Sequence, residues 1–89
     1  MIETRLTIIN KLGLHARAAA KLVTLANQFN ANIRINKDGR EVDGKSIMSV
    51  MMLAASKGTE IALVAEGDDA PEALDAITAL INNRFDEPE

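Results

Sequence analysis

The only histidine of the chain, His15, lies in the stretch KLGLHARAAAKL, two residues after Gly13 and two before Arg17. Gly13 allows a tight turn just ahead of an alanine-rich run. His15 therefore falls at or just before the first turn of a helix. The leading amides of a helix have no partner within it, and the aligned peptide dipoles add partial positive charge there. Ala16 and Arg17 supply those backbone N–H groups, and the Arg17 side chain brings a permanent cation with a planar fork of donors. Together they form an anion site, and phosphate suits it best. The helix start and Arg17 both disfavour imidazolium, which leaves a neutral, nucleophilic ring. Such a ring can attack a phosphoryl group, and the same donors then stabilise the dianionic product. Taken alone, Gly-x-His-x-Arg is a weak signal, and a histidine at a helix cap beside a solvated arginine is the commoner reason for such a pattern.

Composition removes other chemistries. There is no cysteine, so disulfides, thiolate metal sites and cysteine nucleophiles are excluded, and one histidine cannot make a polyhistidine metal centre. No metal and no cofactor is expected. Phe29 and Phe85 are the only aromatic residues, too few for a base-stacking platform, so no nucleic-acid partner is expected. No apolar run approaches the roughly 20 residues of a membrane span. The opening MIETRLTIIN lacks the layout of a signal peptide. A cytoplasmic monomer without membrane insertion is the expectation. Charge is uneven: residues 1–45 hold eight Lys/Arg against four Asp/Glu, and residues 46–89 hold two against nine. The basic half surrounds His15, which favours an anionic group or an acidic partner there.

The elements that must position these residues follow from periodicity. Thr4–Ile9 alternates as a half-buried strand. A helix over about Ala16–Gln28 buries Ala19, Leu22, Ala26 and Phe29. Asn32–Asn36 and Arg40–Val42 form a hairpin around Asp38-Gly39. Ser46 is placed as the N-cap of a helix over about Ile47–Ser56, which Gly58 stops. Glu60–Glu66 is a strand rich enough in apolar residues to be central. Asp69, Pro71 and Glu72 open a last helix with a capping-box pattern, whose stripe is Ala73, Leu74, Ile77, Leu80 and Ile81. The tail from Asp86 to Glu89 is expected to fray. The order βαββαβα predicts a single α+β domain over residues 1–89. It is an open-faced two-layer sandwich, a four-stranded mainly antiparallel sheet with three helices on one face.

The second helix carries more apolar residues than one buried face needs. Ile47, Met48, Val50, Met51, Met52 and Leu53 spread around it. If Met48 and Met51 are exposed they mark an adaptable docking patch; a fully buried helix would explain them equally well.

"GLHARAAAKL", "GKSIMSVMML" and the Ser56-Lys57-Gly58 stretch together resemble the HPr family of phosphocarriers of the bacterial phosphoenolpyruvate-dependent phosphotransferase system. The resemblance spans essentially the whole chain. INKLGLHAR and ALINNRFDE are similar to the nitrogen-related branch, NPr, whereas KSIM is similar to members carrying a regulatory serine, so the branch stays open. The resemblance implies a phosphoryl carrier and not an enzyme in its own right. His15 would take phosphate on Nδ1 from enzyme I and pass it to an EIIA-type domain, and Arg17 would stabilise the phosphohistidine. Leu14, Ala20, Ile47, Met48 and Met51 would form the apolar docking surface. Ser46 would match the serine that HPr kinase/phosphorylase modifies in some relatives. A phosphate there would set about two negative charges beside the docking patch and repel an acidic partner. The family motif usually has proline after the arginine; this chain has Ala18, a better helix former. Two other classes stand beside this reading. One is a regulatory binding module acting through the second helix, with His15 incidental. The other is a small hydrolase, which lacks a general base beside His15.

Overall fold

The computed structural model describes all 89 residues. Alternation in β1 (Ile2–Thr7) turns Thr4 and Leu6 inward and Glu3, Arg5 and Thr7 to solvent. β2 (Asn32–Lys37) buries Ile33 and Ile35, and β3 (Arg40–Asp43) returns beside it through Asp38-Gly39. β4 (Glu60–Glu66) buries Ile61, Leu63 and Ala65. It lies between β1 and β2, so the sheet order is β1-β4-β2-β3 and every pairing is antiparallel. The central position explains its apolar composition. It is the only strand with two long neighbours, so its inward side chains have the most core to fill.

Three helices cover one face. α1 (Ala16–Ala26) buries Ala18, Ala19, Leu22, Val23 and Ala26. α2 (Ile47–Met52) buries Val50, and α3 (Ala70–Asn82) buries Ala73, Leu74, Ile77 and Ile81. These side chains and the inward residues of the sheet make one continuous core. The other face of the sheet is open to water and carries exposed ion pairs, Arg5 with Glu60 at 3.4 Å and Arg34 with Glu41 at 3.7 Å.

Three local expectations give way. α2 ends at Met52, short of Ser56, because Ala54 takes a left-handed φ of 52°. The Lys37 ammonium satisfies the last carbonyls instead, at 3.0 Å to Leu53 O and 3.5 Å to Ala54 O. Asp69 does not cap α3 through its side chain, so the capping box with Glu72 does not form. Its carboxylate accepts from Asn30 N at 2.8 Å and Ala31 N at 2.7 Å, binding the α1–β2 turn to the start of α3. The tail does not fray: residues Arg84–Asp86 form a short turn that buries Phe85 completely.

The Asn30 N–H does most to hold the Asp69 carboxyl below its ordinary value; burial opposes it, and the Ala31 N–H and Lys45 charge assist. Because folding lowers this pKa, the stabilisation is present above the usual carboxylate range and is lost as pH falls through it. Between about pH 6 and about pH 3 the urea midpoint should therefore drop more in the parent than in Asp69→Asn. Equal drops in the two proteins would remove Asp69 from the acid sensitivity.

Candidate functional site

The segment between β1 and α1 is built around a buried asparagine. Asn10 is fully inaccessible, and its Nδ2 donates to Gly13 O at 2.8 Å. Gly13 N donates back to Asn10 O at 3.2 Å, which closes the turn. Gly13 has φ +69°, and a Cβ there would lie 2.6 Å from Ala55 O and 2.8 Å from Ser56 Cα. Only glycine permits both the left-handed backbone and this approach. Leu14 N then donates to Ala55 O at 2.8 Å, fastening the loop to the segment that follows α2.

His15 follows in extended conformation as the N-cap residue of α1, and its side chain caps no helix amide. The first helical bond runs from Ala19 N to His15 O at 2.8 Å, so the amides of Ala16 and Arg17 precede the hydrogen-bonded ladder. The His15 side chain is 28 % exposed. The Arg17 side chain is exposed and forms no ion pair or hydrogen bond within the chain. Ala18 is fully buried, where a small side chain lets the first turn of α1 pack on the core.

The sequence does not foretell what touches the other side of the ring. His15 Nε2 lies 2.5 Å from Glu87 Oε2, while Asn10 Nδ2 donates to Glu87 Oε1 at 3.0 Å. Burial pushes the Glu87 carboxyl up, but hydrogen bonds from Asn10 and His15 and the charges of His15 and Arg17 outweigh it and hold the group below its ordinary value. The ring thus faces a carboxylate as well as the helix start and Arg17. The tail is held there by Lys11 N donating to Glu89 O at 2.8 Å and Lys21 Nζ to Phe85 O at 2.9 Å. An open hollow of about 600 Å³ results, lined by Lys11, Leu12, His15, Ala16, Arg17 and the residues from Glu87 to Glu89. A hollow of similar size on the uncovered sheet face is lined by Glu3, Arg5, Glu41 and Glu60 and lies away from His15. The one sequence signal for the docked tail is Phe85, an aromatic residue among polar neighbours. Nothing around Asn10 distinguishes it.

On the neighbouring helix, Ile47 is 43 %, Met48 73 % and Met51 42 % exposed, and Met52 joins them. Only Val50 and Leu53 turn into the core, so the surplus apolar residues form an exposed patch. Ala20 is half-buried on α1. Leu14, expected on the same surface, belongs instead to the core: it is 6 % exposed, because the Asn10–Gly13 turn and the bond to Ala55 O direct it inward. Ser46 Oγ accepts from Ser49 N at 3.3 Å, so this serine is the N-cap of α2.

Residues 2–83 match the family model for the PTS HPr component phosphorylation site. The chain belongs to the HPr family of phosphocarriers. It is 59 % identical to phosphocarrier protein HPr of Pseudomonas aeruginosa, with all of both chains covered. It is 46 % identical to phosphocarrier protein NPr of Shewanella violacea, covering 97 % of this chain and 94 % of that one. Among solved structures, HPr-C-His from Thermoanaerobacter tengcongensis superposes with a TM-score of 0.96 at 45 % identity over the whole of both chains. HPr proteins are phosphocarriers and not catalysts, and they work with other proteins of the phosphotransferase system.

Gly13→Ala tests the anchoring of this loop. A strained left-handed residue costs about 1–3 kcal/mol, and the contact with Ala55 O adds to it. Denaturant unfolding should show a loss of about 2–3 kcal/mol; a loss below about 0.5 kcal/mol would mean that the loop can relax away from the Ala55–Ser56 segment.

Proposed function

We propose that His15 Nδ1 accepts a phosphoryl group from phospho-enzyme I and passes it to an EIIA-type domain, so that the phosphohistidine is a covalent intermediate of the relay. The observation that carries this reading is the placement of the ring. It stands at the start of α1, part exposed, with Nε2 engaged by Glu87 and Nδ1 free of any hydrogen bond within the chain. The amides of Ala16 and Arg17 and the unpaired Arg17 guanidinium are the donors that steady the arriving charge. Ile47, Met48 and Met51, with Ala20, receive enzyme I and EIIA-type domains in turn. A flexible methionine surface suits partners of different shape and releases them readily. Domain 1–89 acts as a single unit, a cytoplasmic monomer.

Ser46 is the regulatory position. Its hydroxyl sits at the edge of the exposed patch, next to Ile47 and Met48. Phosphorylation by an HPr kinase/phosphorylase would add about two negative charges there without requiring the fold to change.

Incubation with enzyme I and phosphoenolpyruvate should give a base-stable, acid-labile phosphate, and His15→Ala should abolish it. Equal labelling of His15→Ala would sink the proposal. Partner binding that ignores this substitution, with no transfer, would place the function in the α2 patch instead. Arg17→Ala should slow transfer by about tenfold or more with the fold intact, as followed by single-turnover transfer. Ser46→Asp should raise the KM for EIIA domains and leave the unfolding free energy within about 1 kcal/mol of the parent; an unchanged KM would count against regulation by charge.

A further inference from the structure

Imidazole has two nitrogens, and in the neutral ring only one carries a free lone pair. Which one reacts is set by the hydrogen bond that the other makes. In this chain the second nitrogen meets a group with no freedom of role. Glu87 Oε2 lies 2.5 Å from Nε2, and an ionised carboxylate can only accept. Its other oxygen is already held by Asn10 Nδ2 at 3.0 Å, and Asn10 is itself fully buried and tied to Gly13 O at 2.8 Å. The carboxylate is thus aimed from the rigid turn that also places His15.

Backbone strain marks the same spot. Arg84, Phe85 and Asp86 take left-handed φ values of 55°, 54° and 63°. None is glycine, and an L-residue takes this conformation only against a steric penalty between its Cβ and the backbone. The turn is held by complete burial of Phe85, by Asn83 Nδ2 donating to Asp86 Oδ1 at 2.7 Å and by Lys21 Nζ on Phe85 O. Its result is to reverse the chain and bring Glu87 onto the ring.

We propose that Glu87 is a positioning residue for the phosphotransfer: oriented by Asn10, it holds the proton of His15 on Nε2 and so leaves the Nδ1 lone pair to attack. This rests on the phosphocarrier reading of His15 and extends it to a residue acting through the ring. In the forward step the Nδ1 pair forms the bond to phosphorus while the donor's bond to phosphorus breaks and its leaving group keeps that pair. The ring retains its Nε2 proton and becomes cationic, and the charge faces the Glu87 carboxylate. In the onward step the phosphorus–Nδ1 bond breaks and its pair returns to Nδ1. Because Nε2 is still protonated, the departing ring is neutral imidazole and not imidazolate, which is a far poorer leaving group. The charged groups around the ring are Glu87 from the tail and Arg17 from α1, with Lys11 and Glu89 paired at 3.5 Å beside them.

The test compares the parent with Glu87→Gln and Glu87→Ala. Glutamine has one acceptor oxygen where the carboxylate has two, so it cannot satisfy both Asn10 Nδ2 and His15 Nε2. Nitrogen-15 spectra of the His15 ring at about pH 8, above the ordinary imidazole range, should show the Nε2–H form dominating in the parent and the Nδ1–H form gaining in both variants. Acceptance from phospho-enzyme I should fall about tenfold in kcat with KM unchanged, since the docking patch is untouched. Unaltered tautomer populations in both variants would overturn the assignment, as would an unaltered kcat. Absence of phosphate on His15 in the parent would instead overturn the carrier reading, while the spectra, which need no enzyme I, still decide whether Glu87 sets the tautomer.

Discussion

The side chain of Asn10 donates to two oxygens from opposite ends of the chain, Gly13 O at 2.8 Å and Glu87 Oε1 at 3.0 Å. The first bond shapes the turn that delivers His15 to the start of α1. The second draws the C-terminal tail across that turn until Glu87 meets the ring. A buried amide is costly unless bonded, so its geometry is well defined by the partners it keeps. One of its atoms, Oδ1, is buried without a hydrogen bond, and the structure offers no compensation for it. The whole site thus hangs on a residue with no part in the chemistry.

This arrangement reconciles two needs of a phosphoryl carrier. A ring that carries phosphate, as proposed for His15, must be exposed enough to meet successive proteins, yet its reacting nitrogen must be placed reproducibly. Exposure comes from putting the ring at a helix end on the surface. Placement comes from fixing the backbone on one side, through Gly13 against the Ala55–Ser56 segment, and the ring on the other, through Glu87. The donors proposed for the phosphoryl group are backbone amides of α1, which cannot move without moving the helix. The contact of Leu14 N with Ala55 O ties the loop that carries His15 to the segment that follows α2, the helix that bears the exposed methionines.

The uneven charge along the chain gains a second meaning. The basic half does surround His15, but the acidic tail is among the anions that it attracts. Glu87 lies on His15, Glu89 beside Lys11 at 3.5 Å, and Asp86 beside Lys21 at 3.5 Å. Most of these contacts are exposed and individually weak. Burial of Phe85 supplies what they lack, because an apolar ring loses contact with water only if the whole turn docks.

Much of the fold is legible along the chain because periodicity is a local property. The alternation of Ile33 and Ile35, the apolar fill of β4, the stripe of α3 and the excess of methionine on α2 each need only a few neighbouring residues to be read. The position of His15 at a helix start is legible for the same reason, since Gly13 and the alanines after it are adjacent in sequence. Asp69 shows where this stops: its local spacing spells a helix cap, but two amides some 38 residues away bind its carboxylate instead. Leu14 shows it too, since a loop residue beside the histidine is turned into the core by a bond to Ala55 O. The sequence by itself determined the element order, the place of His15 at a helix start beside unpaired amides, and the family. Only the tertiary structure decided which carboxylate faces the ring. Glu87 is 77 residues from Asn10 and 72 from His15, and their meeting depends on the closure of the core around Phe85, which no local pattern encodes.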